Sequence, residues 1–544
     1  MNKKKRFKID LFFIIILISA SALRIYNINK YDLWFDELGS SKYSYQNIKK
    51  ASQIFNLSEK DIFLSNSKND PHSTFYYLIV YLFTFIFKNH LNLRFISVFS
   101  SILSILAIYK LSRFLFDKET GIYASLLMAL SPFQIWYAQE ARAYALSSFL
   151  SILMIFYIFK SLNSNKIKDW ILLTLISYIS ILISYYSFLF ILCSLFIVLS
   201  PNNKTKFSNW FYSFIAIIIP TCLYSYLFKS HFDFVKNDFW LSEPSLITIL
   251  NTFQVYSLGY FGKTEQLLAG SLLFLSLFLY GIYSSFKINK GHAYSILGLL
   301  IFPLAFIYIF SKIFTPIYLN RQLIIFAPLY YLFIGIGIRS IKLKKEKIIT
   351  VTLSLAFLLF FCLKYYFTYD PYSSINTNLM EAAFYKNNYK KTINQMLDRY
   401  ENGDLLIATG MHAYQILYLK ILESEMIDPK SFYFLFIPEH ISFTNFSKRH
   451  LKLKKTEKTV LSDNRDKVHY IKPFDSMEAI QAELYNLDQI NPKRLWLVTS
   501  KIHKKIALSE NTLKIINFIQ KNFKKSFSTA EDEYLVLELY EMKK

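Results

Sequence analysis

A helix needs about 20 apolar residues to cross the hydrocarbon core of a bilayer. Runs near that length recur through roughly the first two thirds of this chain, at roughly 9–26, 92–112, 121–137, 145–160, 170–184, 185–199, 210–228, 267–286, 294–311, 321–338 and 348–367. Of the 544 residues, 53% are hydrophobic and 18% aromatic, which excludes an ordinary soluble protein. The chain reads as an integral membrane protein. Its formal net charge of +24 does not indicate nucleic acid, because the basic residues fall in short clusters between apolar runs and form no contiguous phosphate-binding face. Cys193, Cys222 and Cys362 all lie in apolar segments without metal-ligand spacing, so neither a disulfide framework nor a zinc site is expected. The opening "MNKKKRFK" and the long apolar run behind it read as a retained signal anchor.

Sidedness follows from the lysines. The segment "STFYYLIVYLFTFIFK", 73–88, is apolar but short, and its status sets the side of everything after it. If it does not span, the clusters at Lys110, Arg113 and Lys118, at Lys160, Lys166 and Lys168, at Lys204 and Lys206, at Lys287 and Lys290, and from Arg339 to Lys347 all share the side of the basic N-terminus. That is the positive-inside pattern. The segment is therefore read as an interfacial or re-entrant helix within a first external loop, 27–91. About eleven spans then place the tail outside the cytoplasm.

The tail changes character. "DLLIATG", "SFYFLF", "KRLWLVTS" and "EYLVLELYE" read as strands, and "NTLKIINFIQKNFKK" as an amphipathic helix. The expected architecture is mainly α: a polytopic helical bundle, 1–369, with interfacial helices in its first external loop, followed by an extracytoplasmic α/β domain, 370–544. No internal repeat, Walker loop or dinucleotide fingerprint occurs.

Under this topology the polar residues that look out of place share the external face. "DLWFDELGSS" carries Asp36 and Glu37, and "NDPHSTFYY" carries Asp70 and His72. Arg94 opens the second span. "YAQEARAYAL" puts Gln139, Glu140, Arg142 and Tyr144 in a short external turn, and Arg321 heads the tenth span. Acids and arginines at the outer mouth of a helical bundle suit transfer of a group from a lipid-linked phosphate. A carboxylate deprotonates the acceptor hydroxyl, and guanidinium groups hold the leaving phosphate. Trp34, Phe35 and Tyr76 are candidates to line the lipid–water boundary or to stack on a sugar. Plainer roles stand beside these: solvated acids at 36 and 37, a snorkelling Arg94, a turn residue at His72.

These stretches resemble a known family, the polyprenyl-phosphate-dependent GT-C type membrane glycosyltransferases, specifically the protein O-mannosyltransferase and aminoarabinose transferase group called glycosyltransferase family 39. "LRIYNINKYDLWFDELGS" is similar to its Arg-aromatic opening and acidic pair. "DPHSTFYY" is similar to D-x-H-P-P-L-Y-Y at Asp70, His72, Tyr76 and Tyr77, and "SPFQIWYAQEARAYAL" to its long Q-E-A-R string. "NRQLIIFAPLYY" matches more weakly. Ser73 and Thr74 replace two prolines, and Gln322 replaces a tyrosine after Arg321.

The resemblance implies a polyprenyl-phosphate sugar donor, inverting transfer on the outer face, and Asp36 as general base, with Glu37 supporting it or binding the acceptor. It implies Asp70, His72, Tyr76, Arg94, Arg142 and Arg321 as phosphate or sugar contacts, with Gln139, Glu140 and Tyr144 shaping the cavity, and no cofactor or metal. A divalent cation is still chemically compatible with the three acids Asp36, Glu37 and Glu140. The acceptor is open among lipid, protein and glycan; membrane lipids are partners and nucleic acid is not. A transporter or lipid flippase, or a non-catalytic assembly subunit of the same fold, are the alternatives, although the inverted repeats and midplane charges common in carriers are not evident.

Overall fold

A computed structural model of the chain describes residues 11–30, 33–55, 57–68, 74–87, 93–200, 203–227, 243–261, 263–367, 390–401, 404–409, 433–437, 494–500, 517, 519–528 and 535–542. The chain divides into two compact units. The first comprises Met1–Lys30, Pro71–Phe83 and Asn89–Phe384; the second comprises Tyr31–Asp70, Thr84–Lys88 and Tyr385–Lys544.

Helices dominate the first unit. In chain order they are α1 (Leu11–Ile25), then, after α2 (Phe35–Ser41), α3 (Tyr45–Phe55) and α4 (Glu59–Lys68) of the second unit, α5 (Thr74–Phe87), α6 (Arg94–Leu115), α7 (Lys118–Leu130) and α8 (Pro132–Ala138). There follow α9 (Tyr144–Ser164), α10 (Ile167–Ile183), α11 (Phe188–Val198), α12 (Phe207–Leu227), α13 (Leu246–Leu258), α14 (Thr264–Ile288), α15 (Lys290–Ile313), α16 (Ala327–Ser340) and α17 (Lys344–Phe367). Among the described residues seven helices are long and apolar enough to cross a membrane, and four shorter apolar helices accompany them. The apolar runs read from the sequence fall on helices, although the run at 121–137 is divided at Ser131 between α7 and α8 and the run at 321–338 opens with a 3₁₀ segment before α16. The helix α13 was not anticipated.

Local chemistry places the breaks. Asp117 caps α7, its carboxylate accepting the Thr120 backbone N–H at 2.8 Å. Ser131 then caps α8, and Pro132 follows at the first helical position, where its missing N–H costs nothing. A left-handed Asn165 closes α9. At the centre runs α16, whose residues 327–338 are all buried. Glycines let it approach its neighbours closely: a Cβ on Gly337 or Gly281 would collide with backbone of the opposing helix, α14 or α16 respectively. On the other side, a Cβ on Gly335 would lie 3.0 Å from the Thr120 carbonyl of α7.

One buried arginine locks the bundle. Arg24, fully buried near the end of α1, donates to Ser101 Oγ of α6 at 2.7 Å and to the Ala129 and Met128 carbonyls of α7 at 2.9 and 3.1 Å.

In the second unit, α3 is tied to α2 through Asn47, whose Nδ2 donates to the Ser41 carbonyl at 2.9 Å. Tyr45 at the start of α3 donates its backbone N–H to Thr84 Oγ1 at 2.8 Å, and its ring meets Phe85 edge-on at 5.1 Å. The C-terminal part of the unit holds a short helix, α18 (Lys390–Leu397), and a five-stranded mixed sheet of order β2-β1-β3-β5-β4. Its strands are β1 (Leu405–Thr409), β2 (Tyr433–Ile437), β3 (Arg494–Ser500), β4 (Phe523–Ser528) and β5 (Leu535–Met542); β1 is parallel to β2 and β3, while β5 runs antiparallel to β3 and β4. The four expected strands are present. The expected amphipathic helix ends at 522, and "FKKSFS" behind it is strand β4.

Candidate active site

Asp36 and Glu37 sit in the first turn of α2 and have different surroundings. Glu37 is fully buried, and its Oε2 accepts the backbone N–H of Trp34 at 3.2 Å, the return half of a capping box. Asp36 is partly exposed. Both acids benefit from the positive end of the helix dipole. Trp34 is 2% exposed, as is Tyr76, so neither ring lines an open lipid–water boundary. The side chain of Phe35 and the residues Asp70 and His72 lie outside the described residues.

In the first unit the "QEAR" stretch forms a non-helical turn between α8 and α9, and every residue in it is buried. Ser97 of α6 anchors the turn, its hydroxyl lying 2.6 Å from the Glu140 carbonyl and 3.1 Å from that of Arg142. Glu140 Oε2 accepts Trp136 Nε1–H at 3.0 Å. Arg142 Nη1 donates to Tyr77 OH of α5 at 3.3 Å, and the Tyr77 ring lies 5.9 Å from that of Tyr76. Arg94 is 3% exposed and does not snorkel: its Nη1 donates to the Ile28 carbonyl just beyond α1 at 2.5 Å. It shares a face of α6 with Ser97, one turn on.

Gln139 does something the motif alone does not reveal. Its Nε2 lies 2.7 to 3.3 Å from the carbonyls of Leu23, Arg24 and Tyr26, capping the open end of α1, and its Oε1 accepts the Tyr365 hydroxyl at 2.7 Å.

Arg321 precedes a short 3₁₀ segment, 322–326, and its guanidinium lies 5.9 Å from the centre of the Tyr144 ring. Tyr144 packs edge-on against Tyr137, whose hydroxyl lies 2.8 Å from that of Tyr260. The Tyr260 ring also meets that of Trp136 edge-on at 6.1 Å, and Trp136 in turn donates to Glu140. The structure therefore gathers Tyr76, Arg142 and Tyr77 in one cluster and Arg321, Tyr144, Tyr137, Tyr260 and Glu140 in another, with Arg94 beside the turn. Tyr137 opens the "YAQEARAYAL" string without a role assigned to it from the sequence, and Tyr260 escaped sequence reading because an isolated tyrosine carries no spacing signal. Among the described residues no group of three His, Cys, Asp or Glu side chains could hold a metal ion.

Residues 71–226, which include this turn, match the family model described as dolichyl-phosphate-mannose-protein mannosyltransferase. Among solved structures the chain is similar to ArnT from Cupriavidus metallidurans bound to undecaprenyl phosphate, at 10% identity and TM-score 0.60, with 97% of each chain covered. Against the apo state of that protein the TM-score is 0.57 at 9% identity, again over 97% of each chain. It is also similar to the Archaeoglobus fulgidus oligosaccharyltransferase tethered with an acceptor peptide, at 11% identity and TM-score 0.52, covering 98% of this chain and 74% of that one. No curated protein sequence matches. The chain shares the GT-C type fold of these structures, and its long apolar helices make it an integral membrane protein.

Proposed function

We propose that the protein moves a sugar from a polyprenyl-phosphate donor to an envelope acceptor, a lipid, protein or glycan, on the outer face of the cytoplasmic membrane. The observation that carries this reading is the buried Q-E-A-R turn inside the matched segment, where Arg142 meets Tyr77 and Glu140 meets Trp136. The fold shared with a protein that binds undecaprenyl phosphate supports the same donor chemistry.

In the reaction, the acceptor oxygen attacks the anomeric carbon as the bond from that carbon to the phosphate oxygen breaks. The proton leaves the acceptor for Asp36, and the polyprenyl phosphate departs as an anion. Asp36 suits the base better than Glu37, because Asp36 is partly exposed whereas Glu37 is fully buried at the start of α2. Arg94, Arg142 and Arg321 are planar donors suited to a phosphate, with Asp70 and His72 as further contacts to phosphate or sugar. Tyr76, Tyr144 and Glu140 shape the sugar side, and Gln139 supports them by fixing the end of α1. The step needs no resident metal. The N-terminus is cytoplasmic, and the bundle of 1–369 carries an extracytoplasmic domain of 370–544 in which acceptor choice resides. Purified protein offered a panel of undecaprenyl- and dolichyl-phosphate sugars, together with mass spectrometry of envelope glycans from a deletion strain, tests this. Transfer from one donor and loss of the same sugar from the envelope are expected; no transfer from any donor and an unchanged envelope contradict it.

A further inference from the structure

The helix α13 carries no charge and no motif, yet two of its side chains, one turn apart, grip the loop on either side of Arg321. Thr252 is fully buried, and its hydroxyl lies 2.8 Å from Asn320 Oδ1 and 2.9 Å from the Tyr318 hydroxyl. Tyr256, also fully buried, donates its hydroxyl to the Leu323 carbonyl at 2.5 Å. Positions four apart share a helix face, so both bonds leave α13 in the same direction. The loop is held from its other sides too: Tyr186 OH donates to the Ile317 carbonyl at 2.6 Å and Ser151 to the Ile325 carbonyl at 3.0 Å.

We infer that α13 is the positioning platform for Arg321, with Thr252 as its main positioning residue acting through Asn320; this rests on the reading of Arg321 as a holder of the lipid-linked phosphate. The physical case is one of preorganisation. An arginine side chain reaches its target through several rotatable bonds, so it binds an anion well only when its backbone is fixed and its path is confined. The Tyr144 ring confines the guanidinium, the Thr252 hydroxyl holds the Asn320 side chain next to it, and the Tyr256 hydroxyl holds the backbone carbonyl of Leu323. Without the Thr252 hydroxyl, Asn320 loses a buried partner and the loop gains freedom next to Arg321. A misplacement of about an ångström at a binding group costs up to roughly a hundredfold.

The test measures binding of undecaprenyl phosphate to the purified full-length protein in detergent. Wild type is compared with Thr252→Val, Thr252→Ser, Arg321→Gln and the double variant Thr252→Val/Arg321→Gln. The expected pattern is about a ten- to hundredfold weaker affinity for Thr252→Val, recovery in Thr252→Ser, and no further loss when Thr252→Val is added to Arg321→Gln. A purely structural Thr252 would weaken the Arg321→Gln background as much as wild type, and that additivity overturns the inference, as does unchanged binding by Thr252→Val. Should Thr252→Val not fold, Tyr256→Phe replaces it in the same cycle, with the same two outcomes. Wild type that does not bind undecaprenyl phosphate overturns the donor reading instead, and this inference with it.

Discussion

The Glu37 carboxylate accepts the backbone N–H of Trp34 at 3.2 Å, and this one bond separates two acids that are neighbours in sequence. Glu37 is fully buried and shapes the start of α2, whereas Asp36 is partly exposed. A glutamine reproduces the capping acceptor. Glu37→Gln should therefore retain the fold and lose little stability, whereas Glu37→Ala should lose about 1 kcal/mol of cap energy. Thermal unfolding of the two purified variants checks the order; equal loss in both would remove the capping role.

The crossing of α14 and α16 depends on Gly281 and Gly337, each of which leaves room for only a hydrogen against the opposing backbone. Backbone cannot step aside as a flexible side chain can. Gly281→Ala or Gly337→Ala should destabilise the bundle by at least about 1–3 kcal/mol, the usual cost of overpacking a closed core. Gly298, where an added Cβ would meet only the Phe302 ring at 3.7 Å, is the control and should tolerate alanine. Melting of the detergent-solubilised protein reads the difference.

Gln139 belongs to the motif, but its bonds go to the end of α1 and to Tyr365. Gln139→Ala leaves those carbonyls without this donor and should cost about 1–3 kcal/mol. The expected signature is a lowered melting temperature at donor concentrations that saturate transfer. A variant as stable as wild type would return Gln139 to the substrate contacts.

These cases mark what a sequence makes legible. Spans are readable because a run of apolar residues has no other stable place, and the motif turn was found because four polar residues interrupt such runs. The helix α13 escaped because it is short and studded with Thr248, Asn251, Thr252 and Gln254. Strand β4 escaped because "FKKSFS" follows a helix without a breaker, and its lysines suit an edge strand as well as a helix surface. Residue type was legible at the site, but role was not. Gln139 as a cap and Glu37 as half of a capping box follow from where neighbouring backbone ends, which no local spacing encodes.

Topology has its own test. The turn between α16 and α17 exposes Lys342, Lys344 and Lys345, whereas Ala141 in the motif turn is buried and unsuited to labelling. The positive-inside pattern puts this basic turn in the cytoplasm. With the exposed Cys222 changed to serine, Lys344→Cys should react with an impermeant maleimide only after cells are permeabilised. Labelling of intact cells would reverse the assigned orientation.

Asp36 is proposed to take the acceptor proton during sugar transfer. The measurement that addresses it most directly is turnover by purified wild type and Asp36→Asn, with the polyprenyl-phosphate sugar donor identified for the wild type, alongside binding of undecaprenyl phosphate to both. Asparagine preserves size and removes the base, so Asp36→Asn should bind the lipid phosphate like wild type while its turnover falls by about 10²–10⁴-fold. Turnover equal to wild type, with binding equally intact, would contradict the account.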